Sequence, residues 1–363
     1  MKILIIVPSL RGGGAERVVS LLSQEWAKNN DVRIGLFNCN DRIYDYGGML
    51  INLGERQDKY RFGKLGLLVG RILALKAVIG KQAPEKIFTF MESANIPTIL
   101  ASLICKCTDK LTISVHNNPS FFIMYQKFFI LTLYRFANEI VAVSSGISRA
   151  LKKHYFLPKT KVRCIHNPVD HSYIFKKMNE KSDFVVPINK KIFFLGVGSL
   201  EKQKGFDLLL KAYINLKERG TNSGMIILGE GSERKKLEKF IRDNDLSEDV
   251  YMPGYVENPF IFFSKAIGFV LSSRYEGMGN VIMEAMACGC PVISFNCPYG
   301  PEDIIKNEEN GLLVKNGDIK ALSLAMERIE GDGGLRKKLV REGEKTSRLF
   351  DVKNITKKWL VNC

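Results

Sequence analysis

Ile3-Leu4-Ile5-Ile6-Val7, followed by Arg11-Gly12-Gly13-Gly14-Ala15-Glu16, decides the fold class of this chain. Five consecutive apolar residues, mostly β-branched, suit a strand buried on both faces of a parallel sheet. The glycines allow a sharp turn, and Glu16–Lys28 then has the spacing of an amphipathic helix. The alternation continues. Apolar runs at Val32–Leu36, Lys86–Phe90, Leu111–Val115, Glu139–Val143 and Val162–Ile165 are separated by helical stretches. This pattern predicts a doubly wound α/β domain with ligands beyond the carboxyl ends of its strands.

A polar break lies between Pro168 and Pro187, after which the pattern restarts. Strands are expected at Ile192–Val197, Met225–Leu228, Ile267–Leu271 and Pro291–Phe295, and helices at Phe206–Lys217, Ser232–Arg242 and Val281–Cys288. A length of 363 residues also exceeds what one hydrophobic core usually serves. The expected organisation is a Rossmann-like domain over 1–168, a hinge over 169–190 and a second Rossmann-like domain over 191–347, with a central cleft between the domains. A terminal helix within 348–363, carrying Phe350 and Trp359, is expected to pack back on the first domain.

Composition excludes several classes. Hydrophobic residues at 45% and charged residues at 25% are ordinary for globular proteins and leave no room for a fibrous repeat. Eight cysteines are too dilute for a disulfide scaffold, and reduced cytoplasmic thiols are the expectation. The opening apolar run is too short for a signal-peptide core, and no apolar run reaches the roughly 18–20 residues of a bilayer span. The net charge of +16 is uneven: residues 1–170 hold 24 Lys and Arg against 12 Asp and Glu, whereas residues 171–363 hold 30 against 26. No arginine-rich arm, zinc-finger spacing or RNA-binding signature points to nucleic acid, so an anionic membrane surface or a lipid-diphosphate substrate is the expected partner. Tyr60–Lys81 and Phe121–Phe136 mix basic and apolar residues, which suits either a membrane-surface helix or a helix covering the sheet.

Three segments carry chemistry. Gly12–Gly14 opens a helix and offers backbone N–H groups to an anion, although a plain tight turn is the alternative. Lys204, in Gly198-Ser199-Leu200-Glu201-Lys202-Gln203-Lys204-Gly205, precedes a helix beyond a strand end, where a lysine can serve as a point charge on a phosphate. The sharpest pattern is Ser272-Ser273-Arg274-Tyr275-Glu276-Gly277-Met278-Gly279-Asn280-Val281-Ile282-Met283-Glu284-Ala285. Its two glutamates bracket a glycine-rich turn that Asn280 is expected to cap, and Glu284 lies about 6 Å along the helix axis from Asn280. Carboxylates on both sides of an anion-binding turn suit a nucleotide sugar, with hydroxyls at its ends and a diphosphate between them. Asp243-Asn244-Asp245 has the look of a metal motif but sits in a charged stretch that reads as a solvated turn, and Cys105-Lys106-Cys107 and Cys288-Gly289-Cys290 lack zinc spacing. No metal and no cofactor are expected.

With these motifs in order, the chain resembles a retaining GT-B glycosyltransferase of family 4, of the kind that builds bacterial surface polysaccharides. Gly12–Glu16, Gly198–Asp207, Leu228-Gly229-Glu230-Gly231, Gly254-Tyr255-Val256 and Glu276–Glu284 carry the likeness. The resemblance implies transfer from a UDP-linked sugar to an undecaprenyl-diphosphate-linked glycan in lipopolysaccharide O-antigen, capsule or exopolysaccharide synthesis, at the inner face of the cell membrane. A non-catalytic sugar-binding protein, or an epimerase or hydrolase on this fold, is the alternative. It also implies roles. Glu276 would contact the transferred sugar, and Glu284 the ribose hydroxyls. Lys204 and Ser199 would meet the diphosphate, with the amides of Gly13, Gly14, Gly277, Met278, Gly279 and Asn280. Gly229, Tyr255 and Val256 would contact the base, and His116 would stand near the reacting sugar. Many such enzymes carry arginine where this chain has Ser199, so either Arg11 or Arg274 supplies that charge or donor affinity is lower.

Overall fold

The computed structural model describes residues 1–40, 44–54, 63–119, 122, 124–180, 190 and 192–361. Part of the expected hinge (181–189), the starts of the two amphipathic stretches (60–62, 121 and 123) and the last two residues lie outside them. The chain divides into two compact units, Met1–Pro168 with Val352–Cys363, and Val169–Asp351.

The first unit runs β1 (Lys2–Val7), α1 (Gly14–Trp26), β2 (Asp31–Leu36), β3 (Met49–Asn52), α2 (Gly63–Gln82), β4 (Lys86–Phe90), α3 (Glu92–Ile104), β5 (Leu111–Val115), α4 (Met124–Leu133), β6 (Glu139–Ala142), α5 (Ser145–His154) and β7 (Val162–Cys164). Its seven strands are ordered β3-β2-β1-β4-β5-β6-β7, and every pair is parallel. β1 and β5 are buried as interior strands of a parallel sheet are; apart from Lys2, β1 is apolar and buried throughout, and β5 buries Thr112 and Ser114 beside its apolar residues. Strand order reverses between β1 and β4, so loops leaving those two strands flank the crevice where doubly wound sheets take ligands.

The second unit begins with α6 (His171–Met178), then β8 (Ile192–Val197), α7 (Phe206–Glu218), β9 (Ser223–Leu228), α8 (Arg234–Asp243), β10 (Val250–Gly254), α9 (Phe260–Lys265), β11 (Gly268–Leu271), α10 (Asn280–Ala287), β12 (Val292–Asn296), α11 (Pro301–Ile304), β13 (Leu312–Lys315), α12 (Ile319–Gly331) and α13 (Gly333–Arg348). The sheet order is β10-β9-β8-β11-β12-β13, again all parallel, and the reversal falls between β8 and β11. The core packs Phe194, Phe206, Leu209, Tyr213, Ile227, Phe295 and Met326 between sheet and helices.

α6 lies where the sequence reading expects hinge, yet it packs within the second unit. Asp170 caps it by accepting from the Tyr173 amide at 2.9 Å, and His171 meets Asp351 at 3.2 Å and Ser347 at 3.0 Å. Val169 donates its amide to the Phe350 carbonyl, so the segments where this unit begins and ends pair side by side. The chain then forms α14 (Val352–Leu360) in the first unit, so the expected terminal helix begins only at Val352, after Leu349–Asp351, and Phe350 lies outside it. Trp359 is 1% exposed, with its ring 5.4 Å from Phe90 and 6.1 Å from Phe88.

Candidate functional site

Lys204 and Glu276 meet in the second unit although 72 residues separate them. Lys204 follows β8 and Glu276 follows β11, the two strands between which sheet order reverses. Lys204 Nζ lies 2.7 Å from Glu276 Oε1, and the Ser273 hydroxyl donates to the same oxygen at 2.6 Å. Glu276 is only 6% exposed, so these two donors replace the water its carboxylate would otherwise hold.

The two loops are tied along their length. Ser272 Oγ donates to the Lys204 carbonyl at 3.0 Å, the Arg274 amide to the Gln203 carbonyl at 2.8 Å, and Gln203 Nε2 to the Tyr275 carbonyl at 3.0 Å. Close approach requires Gly205: its φ is +66°, and a Cβ there would stand 2.1 Å from the Ser272 carbonyl oxygen. Arg274 grips Asp207 with two parallel bonds of 2.8 and 2.7 Å. Burial pushes the Asp207 carboxyl up, but the bonds and charge of Arg274 outweigh it and hold it below its ordinary value. Bonding to Asp207 raises the Arg274 guanidinium in turn. Ser199 is exposed, and the charge expected from Arg274 is already committed to Asp207.

The glycine-rich turn Gly277–Gly279 leads into α10. The expectation that Asn280 caps this helix is corrected: Gly279, with φ +83°, holds the cap position without a side-chain bond, and Asn280 is the first helical residue. The turn rests on the loop beyond β12, where Pro298 O accepts the Glu276 amide at 3.2 Å. Gly300 in that loop has φ +105°, and a Cβ on it would meet the Met278 carbonyl at 2.3 Å. Met278 is 2% exposed, so what it offers a ligand is its backbone. Glu284 is half-buried one turn along α10. Gly229 follows β9, its amide donating to the Gly254 carbonyl at 2.8 Å, which brings the Gly229–Gly231 loop beside Tyr255 and Val256. Tyr255 is 62% exposed, an aromatic face open for stacking.

In the first unit His116 follows β5 and is 8% exposed. Ser114 Oγ lies 2.8 Å from its Nε2, and the Phe90 ring lies 5.6 Å from the imidazole. Burial lowers its pKa to about 3, so the ring is neutral at physiological pH and one ring nitrogen remains an acceptor. Phe90 thus links His116 to Trp359 of the carboxyl-terminal helix. Gly13 holds the cap position of α1, and Gly14 is its first residue. The nearly buried Glu16 carboxylate leans on Gly13, where a Cβ would stand 2.1 Å from Oε2. An anion approaching the Gly13 and Gly14 amides therefore meets a like charge.

Sequence reasoning gave no role to Ser273 or Asp207. Ser273 stands three residues before Glu276, and that spacing beside a carboxylate was its only signal. Asp207 had none, because its partner lies 67 residues away. Asp243 ends α8, pairing with Lys239 at 2.7 Å, and Asn244 and Asp245 form the exposed turn that follows. Cys107, Cys288 and Cys290 are buried free thiols, and burial raises the pKa of each.

Two Rossmann-like units, each built on a parallel sheet with one reversal of strand order, define the GT-B glycosyltransferase fold. Residues 12–173 match Glycosyltransferase Family 4, and residues 178–346 match Glycosyl transferases group 1. The chain belongs to glycosyltransferase family 4. It is 29% identical, over 96% of each chain, to the N-acetylgalactosamine-N,N'-diacetylbacillosaminyl-diphospho-undecaprenol 4-alpha-N-acetylgalactosaminyltransferase of Campylobacter jejuni. It is 26% identical, over 99% of this chain and 97% of the other, to the same organism's GalNAc-alpha-(1->4)-GalNAc-alpha-(1->3)-diNAcBac-PP-undecaprenol alpha-1,4-N-acetyl-D-galactosaminyltransferase. Its fold matches that of Anabaena Alr3699/HepE in complex with UDP, with a TM-score of 0.80 at 20% identity over 100% of this chain and 99% of the other.

Proposed function

We propose that this glycosyltransferase moves a sugar from a UDP-linked donor to a glycan carried on a polyprenyl diphosphate, with retention at the anomeric carbon. The observation that carries the donor assignment is the Lys204–Glu276–Ser273 cluster beside the Gly277–Gly279 turn. In this reading Lys204 and the turn's amides take the diphosphate, where charge develops as the nucleotide leaves. Glu276 contacts the transferred sugar, and Glu284 accepts from the ribose hydroxyls. Tyr255, Val256 and Gly229 contact the base. Neutral His116 hydrogen-bonds a sugar hydroxyl, and the first unit carries the acceptor.

The bond from the anomeric carbon to the phosphate oxygen breaks as the bond to the acceptor oxygen forms on the same face. A departing phosphate oxygen takes the acceptor proton. Preorganised cationic and amide groups supply the charge stabilisation, so the reaction needs no metal, and transfer is expected at an unchanged rate in EDTA.

The lipid-linked acceptor is supported by what the two Campylobacter relatives are named for, and by the basic excess of residues 1–170. Attachment to an anionic membrane at its inner face fits the exposed apolar residues of the first unit: Leu65, Val69 and Leu73 on α2, and Met124 and Phe128 on α4. Lys76 and Lys81 of α2 are exposed nearby, whereas Arg71 turns inward, its guanidinium 4.5 Å from the Phe37 ring. Among the described residues no helix is long and apolar enough to cross a membrane.

The test is thermal-shift screening with UDP-glucose, UDP-N-acetylglucosamine and UDP-N-acetylgalactosamine, followed by incubation of the stabilising donor with a polyprenyl-diphosphate-linked N-acetylhexosamine. A lengthened lipid-linked glycan with an α-linkage is the expected product. Absence of binding to every donor overturns the proposal.

A further inference from the structure

Glu92 is the second residue beyond β4, at the point where the order of the first sheet reverses. Open α/β sheets take ligands in the crevice at that point. The second unit carries Glu276 in the corresponding place, beyond β11. Glu92 is 4% exposed and takes part in no ion pair among the described residues. Its carboxylate is met by the Glu92 backbone amide and, at Oε2, by a long bond of 3.4 Å from Asn117 Nδ2, the side chain next to His116. Its Oε1 is buried and has no hydrogen-bond partner among the described residues. A carboxyl oxygen left in that state is costly, and native proteins retain such groups where a ligand or a catalytic role satisfies them.

The backbone beneath it is strained as well. Met91, which places Glu92 as the first residue of the 13-residue helix α3, has φ +73° and ψ 149°, a region almost reserved for glycine. Strain of this kind clusters at binding sites, where the surrounding structure holds it.

We propose that Glu92 is an acceptor contact: its Oε1 receives the hydrogen bond of a sugar hydroxyl on the incoming glycan and fixes that sugar at the strand ends that carry Asn117 and His116. This rests on the transfer reaction proposed above. A carboxyl group without a cation is matched to a neutral hydroxyl donor and repels a diphosphate, so the contact is to the sugar and not to the lipid-linked phosphates. Burial raises its pKa to about 7, and a hydroxyl donated to the carboxylate would favour its ionised form.

The experiment compares wild type with Glu92→Met and Glu92→Gln, using the donor that stabilises the wild type and a synthetic polyprenyl-diphosphate-linked N-acetylhexosamine as acceptor. The methionine variant should lose about a hundredfold in kcat/KM for the acceptor. The glutamine variant, whose amide oxygen still accepts, should lose about tenfold. UDP affinity by calorimetry should be unchanged in both. A folded Glu92→Met enzyme with acceptor kinetics within twofold of wild type overturns the assignment. If that variant does not fold, wild-type kinetics in Glu92→Gln do the same. A wild type that transfers nothing would instead overturn the function itself, and the Glu92 assignment with it.

Discussion

Lys204 Nζ and Glu276 Oε1 stand 2.7 Å apart, and both side chains are largely shielded from water, with 20% and 7% exposure. The pair holds together the two loops that flank the strand reversal of the second sheet. The catalytic role proposed for Lys204 therefore falls on a residue that also ties the fold together, and one substitution cannot separate the two.

Lys204→Ala should lower kcat by roughly 10²–10³-fold through loss of charge stabilisation. It should also cost about 3 kcal/mol of stability, because Glu276 is left buried without its cation. Lys204→Ala with Glu276→Gln should recover most of the melting temperature and none of the turnover. Recovery of both would show that the lysine only supports the fold.

Removing the Glu284 carboxylate tests the other end of the donor. Glu284→Ala should weaken UDP binding by about tenfold, the worth of one or two hydrogen bonds to hydroxyls. Calorimetry with UDP measures it directly. An unchanged dissociation constant would place the ribose elsewhere.

The bidentate Arg274–Asp207 contact implies that Arg274 does not supply the charge missing at Ser199. Arg274→Ala should leave UDP affinity within about twofold. Its stability cost should be about 1 kcal/mol or less, since both side chains are partly solvated. Ser199→Arg should tighten UDP by about tenfold through a new charge-assisted bond. A large loss of affinity in Arg274→Ala would reverse this reading.

Glu92 should leave a signature in the pH dependence of stability. Its folded pKa is raised from 4.5 to about 7, so between those values the native state binds more protons than the unfolded one. Stability contributed by this group therefore falls as pH rises from about 4.5 through about 7. His116, lowered from 6.5 to about 3, contributes in the opposite direction, stability rising with pH across that interval. The difference between Glu92→Gln and wild type cancels the histidine. The melting-temperature gap in favour of the variant should widen from pH 4.5 to pH 7, and a constant gap would mean that Glu92 does not titrate in this range.

Much of the fold was legible in the chain. β4, β5 and β8 fall where their runs begin and end, because strands buried on both faces read as short, mostly apolar stretches, and the small polar Thr89, Thr112 and Ser114 do not interrupt that pattern. β3, β10 and β13 were not legible. β3 is four residues long and largely exposed, and β10 contains Pro253 and Gly254, where the pairing register shifts. Their pairing depends on a sheet edge already formed.

The sequence by itself determined the α/β alternation, the glycine turn before Val281 and the seven-residue interval between the two glutamates, because these are local matters of backbone freedom and helical spacing. Only the tertiary structure decided that Lys204 meets Glu276, that Arg274 is taken by Asp207 and that Glu92 is buried with an oxygen unpaired among the described residues. Those relations join residues far apart in the chain or depend on what the folded core excludes from water, and no local pattern carries either.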